Sequence, residues 1–410
     1  MNTVQHTYVF VLGRYPDFST LEIKILLEKL QIGFIVEHES DAFLVIKCHE
    51  LPADTLKITL GGTIKMGEIY DVLKKPVSLT QINNYLTSDQ LFIKYFTDIS
   101  EKVHFGLSFY TQNADHPLFT SRYLTDMAHH LKNHLDSQGF HSRFPRQMEL
   151  ALSSVSVDKN KLLTLGAEIL MFETADSVLI GKTLWVQDYE GFSKRDFGRP
   201  LRDMESGIMP PKIARMMLNI TNVGHDEAIL DPFCGSGTII QEAIILEYSD
   251  ITGSDISKKA IHDTTANVGW LEKNLQTKSK SVPTIIEADV VSLCTLTDKR
   301  FKAIITEPYM GPNIQERRSI QAIQDVQDEL LLLYKNTWTA YLELLRPEGI
   351  VTMILPAFLI QKKLRFMDIL TFITGLGFEQ VPLSTNERGS IVVGNTHDFV
   401  LREIVQYRKK

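Results

Sequence analysis

Cysteine is scarce: Cys48, Cys234 and Cys294 are the whole complement of a 410-residue chain, and no two form a C-x-x-C pair. That excludes a readable disulfide framework or cysteine zinc site, and it fits a reducing compartment. Long apolar runs are missing as well; none approaches the roughly eighteen residues that would read as a membrane span. Met1 to Thr7 lacks a basic stretch followed by an apolar one and a cleavage site, so the expected location is the cytoplasm. Positive charge is not in excess either. With 43 Lys and Arg against 50 Asp and Glu, the formal net charge of −7 excludes a protein that coats nucleic acid non-specifically. A local basic face remains open. No internal repeat or low-complexity tract interrupts the chain.

What is present is the composition of a folded, soluble protein: 44% hydrophobic with 23% charged residues argues against long disorder. The length exceeds one ordinary hydrophobic core and predicts two or three domains. Tyr8 to Gly13 reads as a buried strand. Ser19-Thr-Leu-Glu22 reads as a capping box opening a helix to about Leu30. Phe34 to Val36 and Ala42 to Lys47 read as a hairpin. A helix follows around Ser78 to Thr87, then a strand at Val103 to Tyr110, a helix from Ser121 to Asp136 and a short strand near Phe140 to Phe144. Such small mixed units predict an α+β N-terminal half.

Between Trp185 and Arg202 the chain turns polar, with Gly191, Gly198, Pro200 and several basic residues, which predicts a linker. Beyond Gly207, strands at Ala228 to Leu230, Ile251 to Ser254, Thr284 to Glu287, Lys302 to Thr306 and Ile350 to Leu355 alternate with helical segments. That alternation predicts an α/β, doubly wound, mostly parallel sheet.

The strongest motif, Asp231-Pro-Phe-Cys-Gly-Ser-Gly-Thr238, follows an apolar strand and opens a helix. Glycines there let a ligand approach the backbone at the carboxyl edge of the sheet. No Lys follows them, which excludes a phosphate-cradling P-loop, and the bulky Ile240 occupies the place of the third glycine of a dinucleotide fingerprint. A cofactor without phosphate, bearing a cationic sulfonium and ammonium, suits what remains: S-adenosylmethionine. Asp231 can face its cations, Asp255 can accept both ribose hydroxyls, and Asp289 can take the adenine amino group. Phe233, Gly235, Ser236, Gly237, Thr238, Ile256 and Val290 complete this candidate set. One carboxylate alone would read as a helix cap, but three at successive strand ends beside a glycine loop form a constellation.

The fourth strand ends in Thr306-Glu-Pro-Tyr-Met-Gly311. An exocyclic amine conjugated to its ring is a poor nucleophile, so an enzyme that methylates it needs acceptors to hold its N–H bonds and turn the lone pair toward the methyl group. Thr306 could offer a hydroxyl and Glu307 its carbonyl, or Glu307 its carboxylate. Pro308 shapes the turn, and Tyr309 could stack on a flipped base.

With the segment Arg202 to Asn219, these motifs resemble the THUMP-containing tRNA guanine-10 N2-methyltransferases. The resemblance also covers Val186 to Pro200, the Leu152 to Leu162 stretch with Gly166-Ala-Glu168, and Tyr8 to Leu30. It departs at Thr306 to Tyr309, where the family has Asp-Pro-Pro-Tyr. It implies a ferredoxin-like unit at 1–60, a THUMP-like RNA-binding domain at 61–182, a linker at 183–205 and a Rossmann-like, class I methyltransferase domain at 206–410. It further implies Met209 and Pro210 beside the methionine moiety of the cofactor, tRNA as partner, and in some relatives a small activating protein.

Arg143, Arg146, Lys159 and Lys161, with Lys194, Arg195, Arg199 and Arg202, are the candidates for phosphate contacts. Interleaved acids such as Glu149, Asp158 and Asp196 make a solvated surface the plainer alternative. His130 and His134 share helical spacing, but no third ligand is evident and no metal is expected. Leu330, Leu333, Tyr334, Trp338, Tyr341 and Leu345 read as core, and Cys234 as a packing residue. Two other functions stay open: amino methylation of ribosomal RNA or DNA bases, and an RNA-binding protein whose methyltransferase domain is catalytically impaired.

Overall fold

The computed structural model describes residues 5–96, 102–111, 120–146, 148–202, 208–274, 281–312, 320–395 and 398–410. The chain divides into two units, Met1–Tyr189 and Glu190–Lys410.

The first unit is built on one eight-stranded sheet. Its strands are β1 (His6–Leu12), β2 (Phe34–Glu39), β3 (Phe43–Cys48), β4 (Thr63–Lys74), β5 (Lys102–Thr111), β6 (His141–Arg143), β7 (Gly166–Glu173) and β8 (Ser177–Val186). They lie in the order β2-β3-β1-β4-β8-β7-β5-β6. β1 shows why the layer holds. Tyr8, Phe10 and Leu12 pack with Ile23 and Leu27 of the helix Pro16–Lys29, while Val9 and Val11 meet Phe43, Leu170 and Phe172 on the opposite face. Because β4 pairs with both β1 and β8, the sheet runs continuously across the 60/61 boundary.

The first helix begins three residues before the expected capping box. Pro16 occupies its first turn, where a missing N–H costs nothing, and Ser19 is helical. The Ser19 hydroxyl donates to Gly62 O at 3.0 Å, and the Glu22 carboxylate accepts the N–H groups of Gly61 and Gly62 at 2.9 and 2.8 Å. Both side chains thereby satisfy a buried stretch of backbone far along the chain, the Ser19 hydroxyl lying also 2.9 Å from the carbonyl of Tyr15 at its own helix end. A capping box does form at Ser78 and Gln81, opening Leu79–Leu86.

The second unit contains β9 (Ala228–Asp231), β10 (Asp250–Asp255), β11 (Thr284–Glu287), β12 (Phe301–Thr306), β13 (Leu345–Ile360), β14 (Lys363–Phe366), β15 (Phe378–Gln380), β16 (Ile391–Val393) and β17 (Val400–Lys409). The order is β11-β10-β9-β12-β13-β17-β15, with β14 on β13 and β16 on β17. β9 to β13 are parallel, and β17 runs antiparallel against β13. Leu230, Ile304, Val351 and Met353 pack against Leu330, Tyr334, Trp338 and Tyr341 of the helix Ile320–Leu344. On the other face Gln406 donates to Ile220 O, and Thr221 bonds Thr352, where the helix Pro211–Thr221 lies. The sheet is therefore α/β and doubly wound. Strand order reverses between β9 and β12, which opens a crevice at their carboxyl ends.

Residues 189–197, within the expected linker, form a helix. Its Arg195 and the following Arg199 are buried. Among the described residues no helix is long and apolar enough to cross a membrane, and no group of three or more His, Cys, Asp or Glu could hold a metal ion.

Candidate active site

A pocket of about 400 Å3 lies at the crevice between β9 and β12. Its wall begins where β9 ends. After Asp231 and Pro232 the chain turns through Gly235 and Gly237 into the helix Thr238–Ile245, both glycines holding positive φ, +51° and +82°. A β-carbon on Gly237 would stand 3.0 Å from the Thr264 side chain, so the position accepts only glycine without rearrangement. Three side chains staple the loop from outside. The Thr264 hydroxyl donates to Gly235 O at 2.7 Å, Asn267 Nδ2 donates to Ser236 O at 2.8 Å, and Arg199 Nη1 donates to the Thr238 hydroxyl at 2.6 Å. Asn267 also holds both backbone polar groups of Leu201. Nothing local in the sequence marks Asn267 or Thr264 for this work; their helix, Lys258–Asn274, reaches the loop only through the fold.

The three carboxylates arrive together. Asp231, Asp255 and Asp289 all line the pocket, with Met209, Phe233, Gly235, Ser236, Thr238, Ile256 and Val290. Asp231 is only 3% exposed. It accepts from the Thr306 hydroxyl at 2.7 Å and from Phe233 N–H at 3.3 Å, and among the described residues it has no cationic partner. Burial pushes its pKa up to about 7; those two donors oppose the rise, and the nearby Asp255 and Glu307 add to it. Asp255 is oriented by Gly235 N–H at 3.0 Å and Ser257 N–H at 2.9 Å. Asp289 caps the helix Val290–Leu296 through Val291 N–H at 2.7 Å, so it is helix cap and pocket wall at once. Ile256, 70% exposed, offers an apolar surface beside Asp255. Burial raises the Cys234 thiol well above its ordinary pKa, which leaves it a packing group.

Two cofactor candidates sit outside the lining. Pro210 is the N-cap of Pro211–Thr221, and Gly237 is the left-handed N-cap of the next helix; both shape the wall from behind. The Asp203–Gly207 part of the distinctive upstream segment lies outside the described residues.

At the opposite wall Glu307, Pro308 and Tyr309 line the pocket. Thr306 does not. It is fully buried and its hydroxyl is committed to Asp231, so Glu307 and the turn's backbone are left to meet an acceptor. Tyr309 is 51% exposed, while its carbonyl is fixed by the Tyr334 hydroxyl at 2.7 Å. The sequence reading did not reach Arg402. From β17 its Nε donates to Glu307 Oε1 at 2.5 Å.

The basic candidates part company. Arg143, Arg146, Lys159 and Lys161 are exposed on the first unit. Burial, with Arg143, Lys102 and Lys161 close by, pushes the His104 imidazole pKa down, marking a local cluster of positive charge. In the second unit Lys194 is exposed, and half-buried Arg202 stacks 5.1 Å over the Phe197 ring. Arg195 and Arg199, expected at a phosphate-binding surface, are instead buried. Arg195 donates to the buried Glu242 at 2.6 Å, joined there by Arg215, and Arg199 holds Thr238, so neither presents its charge at the surface. A buried guanidinium such as Arg195 persists where a buried carboxylate pairs with it.

Residues 199–355 match the UPF0020 family model, described as RMKL-like, methyltransferase domain. The chain is 31% identical over 160 residues to the tRNA (guanine(10)-N2)-dimethyltransferase of Methanothermobacter thermautotrophicus, a match covering 39% of this chain and 43% of that relative. The chain thus spans less than half the length of the curated relative it matches. TrmN from Thermus thermophilus superposes with a TM-score of 0.59 at 16% identity, over 99% of this chain and 100% of that one. A protein described as a methyltransferase, solved in complex with SAH, superposes with a TM-score of 0.53 at 11% identity, over 100% of this chain and 99% of that one. At those identities the superpositions show the fold alone. Residues 199–355 thus match the RMKL-like methyltransferase domain model, and 160 residues of the chain are similar to a curated tRNA (guanine(10)-N2)-dimethyltransferase.

Proposed function

We propose that this chain transfers a methyl group from S-adenosylmethionine to the N2 amine of a guanosine, at position 10, in tRNA. One observation carries the reading: the carboxylate-lined glycine loop and the Glu307-Pro308-Tyr309 turn face the same pocket. Support for the substrate comes from the name of the relative with 31% identity, and for the cofactor from the methyltransferase fold and the neighbour solved with SAH.

The residues present fit the cofactor. Asp231 is a buried carboxylate without a cationic partner among the described residues, an arrangement that a positively charged ligand would compensate. Asp255 would take the ribose hydroxyls, Asp289 and Ile256 the adenine, and Met209 the methionine end. When bound, S-adenosylmethionine supplies an electrophilic methyl group. The chain's own part is orientation, which can lower such a barrier by about 7–11 kcal/mol. Glu307 accepts N–H hydrogen bonds of the amine, and Tyr309 stacks on the base. The exposed Arg143, Arg146, Lys159 and Lys161 would contact tRNA phosphates, in a unit that we read as THUMP-like.

Incubation with tritiated cofactor and separate pools of unmodified tRNA, ribosomal RNA and DNA, followed by nucleoside analysis, tests the reading. Label in tRNA as N2-methylguanosine or N2,N2-dimethylguanosine is expected. Label in another pool moves the substrate, and no label in any pool leaves an RNA-binding protein.

A further inference from the structure

Arg402 lies beyond the segment that matches the family model, yet it reaches into the pocket wall. Its place on β17 is rigid: its backbone is opposite Pro356 of β13 on one side and Val393 of β16 on the other. Pro356 follows the run of β13 that pairs with β12, so the guanidinium stands at the carboxyl edge of the parallel strands, where the pocket opens. Nε donates to Glu307 Oε1 at 2.5 Å, and Nη2 lies 3.4 Å from the carbonyl of Ile208, the residue before Met209. Both side chains are mostly covered, 24% exposed for Arg402 and 15% for Glu307. Among the described residues Glu307 Oε2 has no hydrogen-bond partner.

We propose that Arg402 is a positioning residue that makes the acceptor wall selective for guanine. This rests on the methyltransferase reading above. A Glu side chain has several rotatable bonds, and a turn alone does not hold its carboxylate still; the guanidinium does, through a charge-assisted bond to Oε1 that leaves Oε2 without a partner among the described residues. A carboxylate presents only acceptors. Guanine has two donors side by side on one edge, N1–H and the N2 amine, and a fixed carboxylate can accept from both. Adenine and cytosine place a ring-nitrogen lone pair beside their amine, which the carboxylate repels. The pair therefore favours the base whose amine is flanked by a second donor.

The experiment is a double-mutant cycle on the full chain with Arg402→Gln, Glu307→Gln and the double variant. Single-turnover transfer of tritiated methyl to unmodified tRNA, ribosomal RNA and DNA would be measured, with cofactor affinity by calorimetry and folding by thermal melts. We expect Arg402→Gln to slow transfer about a hundredfold with little change in cofactor affinity. In the Glu307→Gln background it should cost nothing further, and Arg402→Lys should restore part of the rate. Label should fall on guanosine in every accepted pool. Additive losses, or a loss explained by weaker cofactor binding, overturn the proposal while leaving the methyltransferase reading intact. Label on adenosine or cytidine overturns the guanine selectivity. Guanosine label confined to ribosomal RNA or DNA, with coupling retained, sustains Arg402's role and removes tRNA as substrate. No label in any pool overturns both.

Discussion

Thr306 donates its hydroxyl hydrogen bond to Asp231 across the junction of β12 and β9, at 2.7 Å. The bond ties the Glu307-Pro308-Tyr309 turn to the buried carboxylate proposed to face the cofactor, at the point where strand order reverses. Thr306 is fully buried, so in the proposed reaction it would support Asp231 and not touch the substrate.

Asp231 sets a pH dependence. Its pKa in the free protein is raised from 3.8 to about 7. A raised carboxylate pKa means that this group's contribution to stability is full below the unfolded value and is lost as pH rises through about 7. A cationic cofactor needs the ionised form. Affinity measured by calorimetry should therefore weaken as pH falls below about 7, by up to about tenfold per unit, while staying level above it. Asp231→Asn should bind weakly at every pH and melt higher than the parent at pH 8. A parent affinity unchanged between pH 8 and pH 6 would contradict this.

Thr306→Val keeps the shape and removes the donor. The buried carboxylate then loses a hydrogen bond, at a cost of about 1–3 kcal/mol. Weaker cofactor binding is expected, with single-turnover transfer at saturating cofactor nearly unchanged. Glu307→Gln should show the opposite pattern, and comparing affinity with transfer rate for the two variants checks the assignment.

Tyr309→Ala should raise KM for RNA and slow transfer, because a base–aromatic stack contributes about 1–3 kcal/mol. Tyr309→Phe should behave as the parent, since the ring and not the hydroxyl is used. Equal losses in both variants would place the hydroxyl in the reaction.

The basic residues divide by exposure. Arg143→Ala and Lys161→Ala should each lower the salt dependence of RNA binding by about one unit of log–log slope. Arg195→Ala should leave that slope alone and lower the melting temperature instead, since it removes one of the two guanidiniums, Arg195 and Arg215, that hold the buried Glu242, at a cost of about 1–3 kcal/mol. Filter binding across a salt series, beside thermal melts, separates the two classes.

The sequence alone determined the alternating strands and helices of the second half, the glycine bend after Asp231 and the carboxylates Asp255 and Asp289 at the next two strand ends. These are local facts: periodicity, turn residues and strand tips lie within a few positions of one another, so the chain states them directly. The tertiary structure decided what each polar side chain meets. Glu22, expected to cap its own helix, holds the backbone of Gly61 and Gly62, and Thr306 turned from the pocket to Asp231. Arg195 and Arg199, basic residues in a stretch that read as a linker, became interior partners of Glu242 and Thr238, while Arg402 came to Glu307 from a strand ninety-five residues away. A charge is driven inside or left in water by the partner that desolvates with it, and that partner is brought near by the packing of distant strands and helices, not by its place in the chain.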